Sequence, residues 1–121
     1  MIRKIECVCI HTKNIAASES FYVSLGLRRR WIIERPQADG VIWTLIGMKF
    51  PDATGSDLVL SDSPDVEFTE IELAVDDVRA SFSHLRSNPE ITWIREPFAT
   101  EFGHVAVMEA PDGNVFVLVG A

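Results

Sequence analysis

Ile5-Glu6-Cys7-Val8-Cys9-Ile10-His11, leading into a helix that Asn14 can cap, and Glu70-Ile71-Glu72-Leu73-Ala74-Val75-Asp76-Asp77, leading into a second helix, are the stretches that decide the fold. Each alternates in character as a half-buried strand does, then changes to the helical period of about 3.6 residues behind a polar cap. Setting Cys7 on Glu70 also sets Cys9 on Glu72, Asn14 on Asp77, Ile15 on Val78 and Ser18 on Ser81. Strand and cap obey different rules, so agreement in both marks one unit written twice.

Outward from the first stretch, the helix after Asn14 carries Ile15, Ser18, Tyr22 and Leu25 on one stripe with Phe21 beside it, and Gly26 is placed to end it in the left-handed conformation. Strands are expected at Arg30 to Glu34, Val41 to Ile46 and Asp57 to Leu60, broken by Pro36 to Gly40 and by Pro51 to Gly55. A polar connector, Ser61 to Val66, precedes the repeat. There, a strand at Thr69 to Val75 leads to a helix capped by Asp77, carrying Val78, Phe82 and Leu85, and stopped by Asn88-Pro89. Strands at Ile91 to Arg95, His104 to Glu109 and Val115 to Leu118 follow, the last two joined by the turn Pro111-Asp112-Gly113-Asn114. The expectation is a single domain over residues 1–121, with module 1 at about 2–62 and module 2 at about 67–121.

An apolar content of 47% and a charged content of 24% fit an ordinary globular chain. The net charge of -7 opposes binding to nucleic-acid phosphates, and the one basic run, Arg28-Arg29-Arg30, reads as a solvated strand edge. No apolar run is long enough for a membrane span or a secretory leader, so a cytoplasmic protein is expected. Cys7 and Cys9 lie two apart with parallel side chains, which suits reduced thiols better than a disulfide.

The strand-helix-three-strand order written twice, Ser18-x-x-Phe21-Tyr22-x-x-Leu25-Gly26-Leu27, Val75-Asp76-Asp77-Val78 and the Pro111-Asp112-Gly113-Asn114 turn resemble the vicinal oxygen chelate superfamily of glyoxalases, bleomycin-resistance proteins and extradiol dioxygenases. The resemblance implies an α+β fold of two tandem βαβββ modules, whose curled antiparallel sheets enclose a cavity, and a homodimer. It also implies metal-ligand positions, which fall here on Cys7, Val59, Glu70 and Val117. Two of the four are valines without a donor atom, and a thiol with one carboxylate is a poor set for a divalent ion, so no metal and no cofactor are expected. Cys7, Cys9 and His11 share one strand face but are spread over about 13 Å, too far to close around one ion. His84, on the second helix, and His104, opening a strand, read as surface residues.

The candidate ligand-binding residues on the concave faces are Cys7, Cys9, Trp43, Asp57, Val59, Glu70, Glu72 and Val117. Glu70 and Glu72 project together, so repulsion and lost hydration would raise one of their pKa values, which suits either a catalytic base or a socket for a cation. The alternative is that the pair faces water or a partner subunit's arginine. The leading functional expectation is a metal-free small-molecule binding protein of the bleomycin-resistance type, sequestering a cationic or aromatic compound. A second is a glyoxalase-like lyase, isomerase or dioxygenase that uses a cavity glutamate, with or without a divalent metal. A third is a structural or regulatory dimer whose cavity is filled by side chains.

Overall fold

Two caps set the helices where the sequence expects them. The Asn14 side chain accepts from the Ala17 amide at 3.1 Å and opens α1, Ile15–Ser24. Asp77 accepts from the Ala80 amide at 2.9 Å and opens α2, Val78–Leu85. Gly26, just beyond α1, has φ of +108°, the left-handed region that favours glycine. This computed structural model describes residues 1–51 and 54–121, so the chain break expected at Pro51 to Gly55 lies partly outside the described residues.

The strands are β1 Ile2–His11, β2 Arg28–Pro36, β3 Ile42–Lys49, β4 Asp57–Ser61, β5 Glu70–Val75, β6 Thr92–Thr100, β7 Gly103–Glu109 and β8 Val115–Gly120. They build two compact units. One is Cys7–Thr69, called here the N-terminal unit, and the other is Met1–Glu6 with Glu70–Ala121, the C-terminal unit. Residues 1–6 therefore cluster with the second module of the sequence rather than the first. The Asp76 amide bonds to the Met1 carbonyl at 3.3 Å, and the Arg3 guanidinium bonds to the Asp76 carboxylate.

Strand order is β2-β3-β4 and then the Cys7–His11 part of β1 in the N-terminal unit, and β5-β8-β7-β6 in the C-terminal unit. The expected antiparallel pairing holds for β2, β3 and β4 and for β6, β7 and β8. The pairs β1/β4 and β5/β8 are parallel, which makes each sheet mixed. The helix returns the chain to where its first strand began, and three alternating strands then leave the last one running with the first.

On the helix side of the N-terminal unit, Leu27, Ile46, Met48 and Leu60 form a buried cluster against Ile10, Ile15, Tyr22 and Leu58. Val75, Val78, Ala106 and Leu118 do the same in the C-terminal unit, against Leu73, Leu85, Trp93 and Met108. Ile15 and Tyr22 face inward as expected, whereas Leu25 and Phe21 are 56% and 57% exposed. The Thr12 and Ser18 hydroxyls bond at 2.6 Å, but Val75 stands where Thr12 would repeat, and the buried Ser81 hydroxyl has no hydrogen-bond partner among the described residues. No helix among the described residues is long and apolar enough to cross a membrane.

Each sheet ends on a bulged strand. In β2 the register shifts between Arg29 and Trp31, and in β6 between Trp93 and Arg95 and again before Phe98. An extra residue reverses the alternation of all that follow it. Arg29 thus stays on the helix side, with two 2.6 Å bonds to Glu19, while Trp31 passes to the other side and lies opposite Gly47. Bulging also carries β6 through Pro97 to Thr100, past the expected end at Arg95, because an irregular edge strand tolerates a proline.

A Cβ built on Gly47 would sit 2.1 Å from the Trp31 indole, so the ring occupies the space that any side chain would need. Gly47→Ala is expected to destabilise the protein by about 1–3 kcal/mol in chemical denaturation, as overpacking does. In a Trp31→Ala background the same change should be close to neutral, and a cycle showing no coupling would disprove the contact.

Candidate functional site

The sheet face turned away from α1 brings together all five candidate residues of the N-terminal unit. Cys7, Cys9, Leu45 and Val59 form a buried cluster, with Trp31, Ile33 and Trp43 packed on it. Val59 lies beside Cys9 in the register and is only 4% exposed. Asp57 pairs with Cys7, and the Lys49 ammonium stands 3.4 Å from its carboxylate. Trp43 donates its indole N–H to the Ser61 hydroxyl at 2.9 Å, and the Arg35 guanidinium lies over its ring at 5.0 Å. The Trp43 N–H has an internal acceptor and an indole lies against the floor, while Asp57 has the Lys49 charge nearby although its buried Oδ1 accepts no hydrogen bond among the described residues. The face is a packed surface more than a receptive one.

The corresponding face of the C-terminal unit has a different character. Cross-strand register sets Glu70, Val115 and Glu109 in one row, Glu72, Val117, Val107 and Arg95 in the next, and Ala74, Val119, Val105 and Phe98 in a third. Valines make the floor, and Val117 is 7% exposed. Glu70 is half-buried beside them. Burial pushes its carboxyl above the ordinary range, and the Glu72 charge, about 6.5–7 Å along the strand, pushes in the same direction. On the opposite side of the floor, the exposed Arg95 guanidinium stacks on the Phe98 ring, 3.7 Å from its centroid.

Glu70, Glu72 and Val117 thus share one surface, as the sequence anticipates, and two further residues join them. Glu109 was findable, since alternation carried back through the Pro111 to Asn114 turn sets it opposite Val115. Arg95 was not. Counting by twos puts it with Trp93, whose ring packs edge-on against Phe82 in the helix-side layer, and only the bulge at Ile94 turns it round.

The four positions that the resemblance assigns to a metal do not fit one. Val59 and Val117 lie on the two sheet faces described above and offer no donor atom. Among the described residues no three His, Cys, Asp or Glu side chains gather as an ion would require. His11 shares the face of Cys7 and Cys9 without converging on them, and His84 is exposed. His104 departs from the surface reading: it is half-buried, and its Nδ1 has no hydrogen-bond partner among the described residues.

Hollows of about 220 and 320 Å³ lie on the helix sides of the C-terminal and N-terminal units. Met108 and Phe116 line the first, and Met48 and Leu58 line the second. These are equivalent positions of the repeat, each a facing pair on the last two strands of its unit. A gap that recurs in both copies belongs to the packing of helix on sheet. The valine face with its charged margins occurs in one copy only, and it is the candidate site.

No protein-family model and no curated protein sequence matches this chain. Solved structures do. A hypothetical protein from Bacillus halodurans superposes with a TM-score of 0.77 at 18% identity, over 98% of this chain and 94% of that one. A glyoxalase/bleomycin resistance protein/dioxygenase superfamily member from Vibrio splendidus gives 0.67 at 18% identity over 100% of both chains. Streptomyces coelicolor methylmalonyl-CoA epimerase gives 0.72 at 18% identity, over 100% of this chain and 96% of the enzyme. With its doubled strand-helix-three-strand units, the chain has the vicinal oxygen chelate fold.

Proposed function

We propose that this chain is a metal-free small-molecule binding protein of the bleomycin-resistance type, and that it takes a cationic compound on the Glu70 and Glu72 face of the C-terminal unit. The observation that carries this reading is the half-buried Glu70 carboxylate, held over valines with a second carboxylate beside it. A half-buried carboxylate that has lost hydration beside a like charge favours a cation, which offsets that penalty. The valine floor supplies apolar contact for the body of the same ligand at about 25 cal/mol per Å² buried. The likeness to a glyoxalase/bleomycin resistance protein/dioxygenase superfamily member supports the fold on which such binding would take place.

A second reading has a specific observation behind it. A carboxyl with a raised pKa holds its proton to a higher pH than an ordinary glutamate and takes one up more readily when ionised, and one of the matched structures is a methylmalonyl-CoA epimerase. Glu70 would then be the base and Glu72 the group that tunes it.

Both readings make Glu70 the titrating group, and the sign follows from its raised pKa. Below about pH 4 Glu70 is protonated in folded and unfolded chains alike, and it contributes no difference. As pH rises, the unfolded chain ionises first, so the folded state loses stability until the pH exceeds the raised value. Glu70→Gln should therefore raise the melting midpoint near pH 8 and leave it unchanged near pH 4. Equal midpoints at both values would show that the carboxyl is not perturbed.

Cation binding should strengthen as pH rises through the Glu70 titration and then level off, with a proton released to the buffer on binding. Calorimetry with cationic aromatic amines and their neutral isosteres reads this directly. The Glu70→Gln/Glu72→Gln pair should weaken the cations by about tenfold or more and leave the isosteres unaffected. Indifference of the cations to the double change removes the binding reading. Deuterium uptake into methylmalonyl-CoA in heavy water, lost in Glu70→Gln, would establish the enzyme reading, and no uptake would exclude that substrate.

A further inference from the structure

The row Glu72, Val117, Val107 and Arg95 crosses four strands of the C-terminal unit, and it has an anion at one end, a cation at the other and only valine between. Three steps of about 4.8 Å separate the end backbones, and both terminal side chains are long enough to shorten that span. Arg95 reaches this face because one residue is inserted in β6, and among the described residues it has no carboxylate partner. Its guanidinium carbon lies over the Phe98 ring, 3.7 Å from the centroid, a contact that restrains the group while its N–H donors have no acceptor among the described residues.

The same inserted residue occurs in β2, where it delivers Trp31 to Gly47. Trp31 pairs with Gly47, and Gly47 with Val59; Arg95 pairs with Val107, and Val107 with Val117. Trp31 and Arg95 therefore hold equivalent places in the two copies. In the N-terminal unit the device fills the floor with an indole. In the C-terminal unit a valine stands in the place of Gly47, so the side chain delivered cannot lie down on the floor, and it carries a charge.

We infer that the ligand of this face is amphoteric, with a cationic group at Glu70 and Glu72, an apolar middle over Val117 and Val107, and a carboxylate or other planar anion received by Arg95. The inference rests on the reading that the glutamate pair takes a cation. It adds the other end of the molecule. An anion with two coplanar oxygens suits the guanidinium fork, which donates two parallel hydrogen bonds.

The test uses three rigid para-linked biphenyls: one with an aminomethyl group at one end and a carboxylate at the other, its methyl ester, and the carboxylate lacking the amine. Calorimetry on the full chain should show the amphoteric compound binding about tenfold or more tighter than either relative, the gain expected of a charge-assisted pair. Arg95→Leu should bring the amphoteric compound down to its ester without changing the ester's own affinity. Arg95→Lys should restore part of the difference, because it keeps the charge and loses the fork. A melting midpoint matching the parent chain shows that these exposed substitutions leave the fold intact.

If the ester binds through Glu70 and Glu72 but the carboxylate adds nothing, the inference fails and the cation reading stands. A preference that persists in Arg95→Leu overturns the assignment of Arg95. Binding by none of the three compounds overturns both.

Discussion

Side chains on a strand must alternate, and a single inserted residue is the only local means of breaking that parity without breaking the strand. The chemical character of both sheet faces depends on this constraint. Without the bulge in β2, Arg29 and Trp31 would point the same way, and either the Glu19 pair or the packing over Gly47 would be lost. Without the bulge in β6, Arg95 would follow Trp93 into the helix-side layer, where a guanidinium would be buried among Val75, Val78 and Leu118. Burying an unpaired charge there would cost several kcal/mol, far more than an irregular edge strand does.

The same constraint shows how two copies of one unit came to differ. Helix caps, hydrophobic layers and bulges recur in equivalent places, so the scaffold is shared. What differs is a handful of positions on the face turned away from the helix. Cys7 and Cys9 in one copy become Glu70 and Glu72 in the other, Asp57 becomes Val115, and Gly47 becomes Val107. In the N-terminal unit these choices give a thiol-and-indole cluster with the Asp57 carboxylate 3.4 Å from the Lys49 ammonium. In the C-terminal unit they give carboxylates beside a valine floor.

Much of this was legible from the residues. Asn14 and Asp77 announce themselves as caps because a short polar side chain before an apolar stripe has few other uses. The alternation of Glu70 and Glu72 with Ile71 and Leu73 sets the acidic pair away from the helix without any coordinates. Val59 and Val117 were reached through the family resemblance, and their places beside Cys9 and Glu72 come from a parallel pairing that the sequence did not reveal. Arg95 and Trp31 did not follow from counting, since parity fails at a bulge and neither Arg30 nor Ile94 carries a mark of one. The partners of Trp43 and Asp57 were equally hidden. Ser61 and Lys49 are distant in sequence from Trp43 and Asp57 respectively, or else adjacent only through strand pairing. The inward place expected for Leu25 failed because α1 ends at Ser24, so the position belongs to the cap.

The assignment of Met1–Glu6 to the C-terminal unit has a consequence for biosynthesis. Residues 7–69 are contiguous and can collapse as soon as they leave the ribosome. Residues 1–6 must wait, since Arg3 finds Asp76 only 73 positions later and the Met1 carbonyl finds the Asp76 amide. Closing so long a loop is slow compared with local pairing, and until it closes one margin of β5 is unsatisfied. Until then, the unpaired margin of β5 is the kind of strand edge that invites pairing with another chain.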